Sequence, residues 1–541
     1  MVFFTVSMVN VRLDCSLRFL VGLCKMKYTT LRLTLCVITV LGLAGCATLP
    51  ANPDKPISSS HPPVAESMLV EHRRAVLANS DPLDSAFMLI SNNEQAMRWR
   101  LALIDSAQQS IDLQVYIWSN DVSGRLLLDR IMAAAQRGVR VRLLLDDMPK
   151  DWSDRGTALV GRLPNIQLRR FNPGRVRTGL LARTFQMSTQ FKTLNRRMHN
   201  KQMMVDGCWG IIGSRNIGNP YFGLSKKYNN RDLDVLITGP VIQQMAEDFD
   251  EYWNSEAAYP GEAMAKAYSQ RQLQKVIQRF DAALLKDQEL LKQTRIPVAP
   301  VNWSDEFARL PERMVTGTAT CYQDAPLVKG DRGIRLIDQI EELDVGEKNQ
   351  SCVITPYMIP SKKQLESMAR VITEEKRQIR MLVPSMESNN HTMVHSHYRK
   401  YRKRLLKMGV ELFEFRGLPS DRLRRDSDTP PVQSEFISLH AKAFILHQRW
   451  VLLGSLNVDP RSIKINTENL LVIDAPELAH TLLADFEAMC APENAWTVTL
   501  NDKGKLRWTS SAGERKTQPA RNGWQRCSEA FYNLLPIEGQ L

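Results

Sequence analysis

The 541-residue chain is long enough for two ordinary domains and a sizeable core, and 43% of its residues are hydrophobic. Its formal net charge of +13 favours anionic partners such as membranes, nucleic acid or phosphorylated substrates, although a solvated basic surface would account for the charge equally well. The cysteines argue against a disulfide framework and against a zinc cluster, because those beyond residue 46 are odd in number and widely dispersed. They are Cys208, Cys321, Cys352, Cys490 and Cys527, and we expect most of them to be buried thiols.

The N-terminal stretch has the pattern of a secretory signal. A basic segment begins at Met26, residues 31–43 are apolar, and Leu43-Ala44-Gly45-Cys46 ends the stretch. This ending resembles a bacterial lipobox, which implies cleavage before Cys46 and lipidation of that cysteine. We therefore expect residues 1–25 to be an upstream extension and residues 26–45 to be a lipoprotein signal peptide. An uncleaved anchor is the alternative, although the apolar run is short for a transmembrane helix.

Residues 46–80 are rich in Pro, Ser, Ala and Asn, which indicates a tether that holds a folded domain off a membrane. Ala47 follows Cys46 at the position where an Asp would be expected to retain a lipoprotein in the inner membrane. The expected location is therefore the bacterial cell envelope, with the chain lipid-anchored in the outer membrane and facing the periplasm.

Beyond the tether, the pattern of apolar residues predicts β-α-β order, and therefore an α/β fold whose parallel sheets are covered by helices. In the first half the predicted elements are helix 94–109, strand 111–118, helix 124–137 ended by Gly138, strand 139–145, helix 157–163, strands 166–171, 203–205, 210–212 and 235–238, and a helical stretch 241–293. In the second half they are strand 352–355, helix 361–375, strand 379–383, helix 391–408 ended by Gly409, strand 410–415 and helix 477–490. Because the order repeats, we infer an internal duplication that forms two similar lobes.

The expected lobes are residues 81–293 and 331–490, joined by a linker at residues 294–330 and followed by a C-terminal extension at residues 491–541. Residues 174–198 interrupt the first lobe with an amphipathic segment that mixes Leu, Phe and Met with Arg and Lys. Such a segment either rests on a lipid surface or packs on the core with a solvated basic face, and the second arrangement is the commoner one.

One polar motif occurs twice, once in each predicted lobe. The first copy runs from Met198-His199-Asn200-Lys201 to Gly213-Ser214-Arg215-Asn216, and the second from Leu439-His440-Ala441-Lys442 to Gly454-Ser455-Leu456-Asn457. In both copies Lys follows His by two residues, Gly follows Lys by twelve, and Asn follows His by seventeen. Chance is a poor explanation for two matching spacings of four polar residue types, so we interpret the two copies as parts of one site.

Within each copy, His and Lys lie two apart on a predicted strand and therefore project from the same face. The apolar runs that follow predict two paired strands, which return the Gly-Ser-x-Asn turn to the side of the His. Each copy thus offers an imidazole, an ammonium, a hydroxyl and an amide, which suit the non-bridging oxygens of a phosphate. Two facing copies would supply one His to attack the phosphorus and one to protonate the leaving group.

These motifs resemble the HKD motifs (His-x-Lys-x4-Asp, then Gly-Ser-x-Asn) of the phospholipase D superfamily. The surrounding sequences NRRMHNKQMMVDG, GSRNIGNPYF, SLHAKAFIL and GSLNVDPRS are similar to those of its bacterial cardiolipin synthase branch, particularly the C type, over roughly residues 80–541. The resemblance implies two phospholipase D-like lobes with the active site at their interface. It also implies a covalent phosphohistidine mechanism in which no metal or other cofactor takes part.

The resemblance also implies a role for each motif residue. His199 would be the nucleophile and His440 the general acid and then the base, or the reverse, because the halves are quasi-symmetric and coupled imidazoles titrate as a pair. One imidazole must be neutral and the other protonated, which a pKa near the ordinary value allows. Asp232 and Glu468 are expected to accept from the far nitrogen of the His of their own copy. The side chains expected to hold the phosphate oxygens are Lys201, Lys442, Asn216 and Asn457, with Ser214 and Ser455 assisting.

The two copies differ at one motif position. Asp206 follows Lys201 by five residues, whereas the equivalent position after Lys442 is His447. In the family this Asp mainly supports the local structure. We therefore expect reduced rather than abolished function, and an inactive second half is the alternative.

Three further histidines, His391, His395 and His397, contain an i, i+4 pair, which is possible metal geometry on a helix. No acidic or Cys partner is placed for a metal, so the prediction is a solvent-facing basic patch that contacts lipid headgroups.

The function that the resemblance implies is phosphatidyl transfer between alcohols, which forms cardiolipin from phosphatidylglycerol and a second phospholipid, with phosphatidylethanolamine as a candidate. The expected partners are these lipids and the membrane surface. A phospholipase D would use the same site with water as acceptor. A nuclease of the same superfamily would fit the charge, but the lipid tether argues against nucleic acid as substrate. An inactive lipid-binding lipoprotein is the remaining alternative.

Overall fold

The structure is a computed structural model that describes residues 48–51, 53–148, 151–326, 335–341 and 350–540. The predicted upstream extension, signal peptide and lipidation site at Cys46 lie outside these ranges. Within them, no helix is both long enough and apolar enough to cross a membrane. The described residues form two compact units: residues 48–51 group with Gly174–Lys192, and the other described residues form the second unit.

The larger unit contains an 18-stranded sheet in two parts, which follow the two halves of the chain and which we call the first and second sheets, and a separate two-stranded sheet. The strands of the first half are β1 (Ser85–Ile90), β2 (Ser110–Val115), β3 (Arg140–Asp146), β4 (Ile166–Phe171), β5 (Gln202–Val205), β6 (Trp209–Gly213), β7 (Tyr228–Arg231), β8 (Asp234–Thr238) and β9 (Ala258–Pro260). Those of the second half are β10 (Val315–Gln323), β11 (Gln350–Ile354), β12 (Gln378–Pro384), β13 (Glu411–Phe415), β14 (Phe436–Leu439), β15 (Ala443–Leu446), β16 (Trp450–Gly454), β17 (Asn469–Asp474), β18 (Ala495–Leu500), β19 (Leu506–Ser510) and β20 (Gly513–Arg515).

The two sheets have the same strand order. The first runs β1-β8-β6-β5-β2-β3-β4-β9, in which β2, β3 and β4 are parallel to one another and the other pairings are antiparallel. The second runs β10-β17-β16-β15-β11-β12-β13-β18, with β11, β12 and β13 parallel, and continues through β19 to β20. The predicted α/β fold with two similar lobes is therefore confirmed, and we call the parts built on these sheets the first and second lobes.

Strand pairings join the lobes, as does an isolated bridge between Met198 and Thr467. Residues 315–317 of β10 pair with β1, and residues 318–323 of the same strand pair with β17. Strands β7 and β14, one from each half, form a separate parallel pair. A single apolar core also spans both lobes, and it includes Ile212 and Val235 from the first and Ile445 and Leu471 from the second. The lobes consequently share buried apolar surface.

Helices cover the sheets and occupy the connections between strands. In the first half they are α1 (Met68–Val76), α2 (Asn93–Ser106), α3 (Val122–Gln136), α4 (Asp154–Val160), α5 (Leu180–Thr189), α6 (Phe191–Leu194), α7 (Val241–Asn254), α8 (Gln270–Leu291) and α9 (Ser304–Ala308). In the second half they are α10 (Leu336–Glu341), α11 (Lys362–Thr373), α12 (Thr392–Tyr398), α13 (Arg402–Met408), α14 (Asp421–Ser427), α15 (Pro460–Lys464), α16 (Pro476–Cys490) and α17 (Gly523–Tyr532). Short 3-10 turns lie at Asn219–Tyr221, Gly261–Ala263, Leu310–Glu312 and Glu538–Gln540.

Local sequence sets several helix ends. The Asn92 side chain accepts a hydrogen bond from the backbone of Gln95 and so caps the start of α2. Ser361 and Gln364 form a reciprocal capping box at the start of α11. Gly409 adopts a left-handed conformation after α13, as its position in the sequence predicts.

The structure differs from the predicted elements in five places. The helical stretch 241–293 is interrupted at residues 255–269 by β9, and the helix predicted at 391–408 is two helices, α12 and α13. The expected linker contains β10, and the expected C-terminal extension contains strands β18 to β20 and helix α17. The expected tether includes α1, and its residues 58–60 bond to α7 and Arg142.

The prediction that most of the cysteines beyond residue 46 are buried thiols is confirmed in the described part of the chain. None of them forms a disulfide, and all are buried except Cys527.

Candidate active site

Each copy of the motif forms a β-hairpin that ends at its Gly-Ser-x-Asn turn, and each turn lies beside the carboxylate that binds the His of the other copy. In the first copy β5 pairs with β6, with Gln202 opposite Ile212, and in the second β15 pairs with β16, with Ala443 opposite Leu453. The glycine that ends the second strand of each hairpin leaves no room for a side chain. A Cβ on Gly213 would lie 2.1 Å from a carboxylate oxygen of the adjacent strand β8.

The two lysines are buried and point toward the histidine two residues before them. The Lys201 ammonium donates to the His199 carbonyl at 2.5 Å, and the Lys442 ammonium donates to the His440 carbonyl at 2.9 Å. An ammonium carries three donors, and these bonds occupy one of them in each copy. The sequence placed each His and its Lys on a strand, whereas β5 begins at Gln202 and β15 at Ala443, so both pairs lie just before the hairpin strands.

Each imidazole is bonded to a carboxylate of the other lobe. The Nδ1 atom of His199 lies 2.7 Å from Glu468 Oε2, and the Nδ1 atom of His440 lies 2.8 Å from Asp232 Oδ2. All four side chains are at least nine-tenths buried. The prediction that each carboxylate serves the histidine of its own copy is therefore wrong, because the pairs cross between the lobes.

Backbone pairing between the halves explains this exchange. Strand β14, which leads into His440, runs parallel to β7, which leads into Asp232, and the His440 amide donates to the Arg231 carbonyl at 2.9 Å. On the other side, the His199 amide donates to the Thr467 carbonyl at 2.8 Å, one residue before Glu468. Each histidine is thus placed beside the chain segment that carries the carboxylate of the opposite half.

The serine hydroxyls, which were predicted to assist with the phosphate, bond to these carboxylates in the structure. Ser214 donates to Asp232 Oδ1, and Ser455 donates to Glu468 Oε2 at 2.5 Å. Each carboxylate therefore receives a hydroxyl from its own lobe and an imidazole from the other. This leaves the serines the role of fixing the carboxylates.

The two asparagine amides differ in their surroundings. Asn216 accepts from the Ile117 amide at 3.1 Å and donates to the Tyr221 hydroxyl at 2.9 Å. Asn457 donates to the Ser462 hydroxyl at 3.3 Å, and its buried Oδ1 has no protein partner among the described residues. The pocket is consequently asymmetric, with a tyrosine on one side and a serine on the other.

Each lysine acts electrostatically on both imidazoles, which couples the two copies of the motif. Burial and the charges of Lys201 and Lys442 lower the pKa of His199 well below its ordinary value. Burial and Lys442 also lower the pKa of His440 to about 4, even though Asp232 opposes the shift. Both imidazoles therefore favour the neutral form while the pocket holds no anion.

Burial also lowers the pKa values of both lysines, and Lys442 adds to the shift of Lys201. Burial lowers the pKa of Lys201 to about 7 and that of Lys442 to about 8, although the two carboxylates oppose both shifts. Burial raises the pKa of Glu468 to about 7 against the pull of Lys201. An anion bound beside these groups would stabilise their protonated forms, so the pocket is electrostatically suited to a phosphate.

Tyrosines that sequence reasoning missed line the histidines. Tyr116 packs edge-on against His199 with ring centroids 5.1 Å apart, and Tyr221 packs edge-on against His440 at 5.4 Å. Burial raises the pKa of both phenols, that of Tyr116 to about 12. The sequence offered one indication of this role: Tyr116 comes directly after the buried strand β2, at the end of that strand.

Asp206, which the motif groups with the site, acts on the backbone instead. Its carboxylate accepts hydrogen bonds from the amides of residues 108, 109 and 110 at 2.8 to 2.9 Å. His447 occupies the matching turn with the same left-handed conformation, and its amide donates to the Gln350 carbonyl as that of Asp206 donates to Ser110. Both side chains therefore belong to hairpin turns.

The predicted basic patch at the histidine group is wrong for two of its members. His395 and His397 are buried, and their Nδ1 atoms lie 3.2 Å from Glu529 and Glu538 of the C-terminal extension. The extension covers α12, which makes these histidines part of a packed interface. In the described part of the chain, no group of three His, Cys, Asp or Glu could hold a metal ion.

Comparison with known proteins identifies the family. The family model described as "Cardiolipin synthase, PLD-like domain" matches residues 101–253 and 340–490, once in each half. Cardiolipin synthase C of Escherichia coli K12 is 32% identical over 468 residues, which cover 82% of this chain and 93% of the relative. A cardiolipin synthase of Oceanobacillus iheyensis is 24% identical over 449 residues, which cover 81% of this chain and 77% of the relative.

A solved structure adds support for the fold alone. The crystal structure of phosphatidylserine synthase from Haemophilus influenzae Rd KW20 aligns with a TM-score of 0.50 at 14% identity, over 76% of this chain and 86% of that one. The family matches in both halves and the relative of 32% identity make the chain an enzyme of the phospholipase D superfamily that carries the cardiolipin synthase PLD-like domain twice.

Proposed function

We propose that the enzyme transfers a phosphatidyl group to the hydroxyl of phosphatidylglycerol and so forms cardiolipin, with a second phospholipid as donor. The observation that carries the proposal is the pair of buried imidazoles, each bonded through Nδ1 to a carboxylate of the opposite lobe. A proton held on Nδ1 leaves Nε2 as the reacting atom of each ring. The similarity to proteins named cardiolipin synthase supports the choice of lipid substrates.

The proposed reaction has two displacements at phosphorus. First, Nε2 of His199 bonds to phosphorus while the bond to the headgroup oxygen breaks, and that oxygen takes a proton from Nε2 of His440. Then the hydroxyl of phosphatidylglycerol gives its proton to His440 and attacks phosphorus, which breaks the bond to His199. The exchanged assignment of the two histidines is the alternative, because the halves are quasi-symmetric.

The other pocket residues would stabilise charge. The ammonium groups of Lys201 and Lys442 would face the non-bridging oxygens and offset the negative charge that builds up in each transition state. Asn216 and Asn457 would add amide donors. Asp232 and Glu468 would hold the tautomers and stabilise the imidazolium that forms in each half-reaction.

The test is to incubate the purified protein with phosphatidylglycerol, alone and with phosphatidylethanolamine, and to separate the lipid products. Cardiolipin with release of the headgroup alcohol is the expected result, and His199→Ala and His440→Ala should each remove it. His480→Ala, which changes an exposed histidine on α16, is the matched control. Phosphatidic acid as the sole product would mean that water is the acceptor and that the protein is a hydrolase.

We also propose that the chain is lipid-anchored at Cys46 in the outer membrane and faces the periplasm. The Leu-Ala-Gly-Cys sequence and the Pro- and Ser-rich stretch that follows support this proposal. Cells that express the wild type or the Cys46→Ala variant would be labelled with a radioactive fatty acid. Label on the wild type alone is expected, whereas equal or absent label on both would sink the proposal.

A further inference from the structure

Helix α5, within residues Gly174–Lys192, exposes large apolar side chains. Three large apolar side chains on this helix are almost fully exposed: Leu180 at 82%, Leu181 at 77% and Phe185 at 68%. Met187 and Phe191 add two further exposed apolar side chains. So many exposed apolar groups within twelve residues indicate an interaction surface.

The exposed groups lie on one side of α5. Gln186 is the buried residue of the helix, and its Oε1 accepts from the Val176 amide at 3.0 Å. Leu181 and Phe185 are four residues apart and therefore lie one above the other on the same face. The helix thus has a polar contact within its own unit and an outward stripe of apolar side chains.

The charges around this stripe have a single sign. Arg175, Arg183 and Lys192 are exposed, and no Asp or Glu occurs between residues 174 and 198. Apolar side chains flanked by cations are the pattern of helices that lie in the headgroup region of a bilayer. A nucleic acid would match the cations but would leave the Leu and Phe side chains without apolar surroundings.

We propose that α5 docks on an anionic phospholipid bilayer, with Leu181 and Phe185 inserted among the lipids and the basic side chains paired with headgroup phosphates. The inference rests on the proposed function in that a bilayer holds the substrates. Each inserted side chain would raise the binding constant about tenfold, and each cation near an anionic surface about fivefold.

The test is hydrogen exchange of the full chain with and without vesicles, followed in peptides that cover residues 180–191. Vesicles of equal parts phosphatidylcholine and phosphatidylglycerol should protect these amides, and vesicles of phosphatidylcholine alone should protect them far less. The Leu181→Ser/Phe185→Ser variant should need on the order of a hundredfold more lipid to reach the same protection. The matched control is Leu83→Ser, since Leu83 is 74% exposed but lies between Asp81 and Asp84.

Three results would overturn the proposal. The first is exchange in residues 180–191 that does not change on vesicles of either kind, and the second is equal protection on both kinds. The third is wild-type self-association that the double variant abolishes while its vesicle protection stays intact, because the occupant of this face would then be a second copy of the chain.

Catalysis can be read separately in mixed detergent micelles, where docking to a bilayer plays no part. The Leu181→Ser/Phe185→Ser variant should match the wild-type rate there. A wild type that makes no cardiolipin in micelles, yet shows lipid-dependent protection at residues 180–191, would refute the proposed function while supporting the docking.

Discussion

Replacing Asp232 by Asn tests the exchange of carboxylates between the lobes. The Asp232 carboxylate is fully buried and accepts from His440 Nδ1 at 2.8 Å through one oxygen and from Ser214 through the other. Burial would raise the pKa of this carboxyl, but His440, together with Arg215 and Lys442, holds it below its ordinary value, so the group is ionised. An amide of the same shape cannot carry that charge.

The expected loss follows from the tautomer. The Asn side chain can turn its NH2 group toward Nδ1, which then becomes the acceptor, and the proton moves to Nε2. An imidazole with its proton on Nε2 cannot act as a base or nucleophile through that atom. In a hydrolase triad the same substitution costs about 10⁴-fold in kcat, and we expect a loss of about 10³- to 10⁴-fold here, or about 4 to 5.5 kcal/mol of transition-state stabilisation.

The assay combines cardiolipin formation with nitrogen NMR of histidine-labelled protein. In Asp232→Asn, the ring nitrogen signals of His440 should shift and those of His199 should stay, although Asp232 and His199 belong to the same half of the chain. Asp485→Asn is the matched control, since it removes a carboxylate bonded to the neighbouring residue Arg231. Shifts at His199 with none at His440 would refute the crossed pairing.

Three further results are expected. Affinity for a phosphate-like anion such as tungstate, measured by calorimetry, should fall as pH rises from 7 to 9, and binding should take up protons. The reason is that the free site loses the charge of Lys201 (pKa about 7) and then that of Lys442 (pKa about 8). Binding that does not depend on pH would contradict this. His447→Asp should leave cardiolipin formation similar or raise it modestly, because this position lies in a hairpin turn; an inert wild type that this change activates would indicate a decayed enzyme. Gly454→Ala should lower the free energy of unfolding in urea by about 1 to 3 kcal/mol, because the new Cβ would lie 2.3 Å from a backbone oxygen of β17. Gly523→Ala is the control, since its Cβ meets no atom within 4 Å. Equal unfolding midpoints for the two variants would contradict the expected clash.

The features that sequence could predict are those set by local patterns. The apolar runs after the two His-x-Lys pairs predicted the hairpins β5–β6 and β15–β16, although the pairs themselves lie just outside the strands. The repeated order of predicted helices and strands also predicted two similar lobes, because each element was read from its own stretch of sequence. In each case the interaction joins residues that are close in the chain.

The crossed pairs could not be predicted in this way. His440 and Asp232 are 208 residues apart, and the contact depends on the parallel pairing of β7 with β14, which local sequence does not encode. Tyr116 and Tyr221 were missed because a tyrosine after a strand resembles any core aromatic residue. The burial of His395 was missed because its partner Glu529 lies 134 residues away in an extension with no recognisable motif.

The central claim is that one chain builds a single transferase site from both halves and works through a phosphohistidine. The most direct measurement is rapid quenching of His440→Ala with radiolabelled phosphatidylglycerol, followed by peptide mass spectrometry under alkaline conditions that preserve phosphohistidine. We expect a phosphatidyl adduct that accumulates on His199, because His440→Ala lacks the base for the second displacement, or the reciprocal adduct in His199→Ala if the roles are exchanged. An active wild type with no adduct on either histidine in either variant would contradict it.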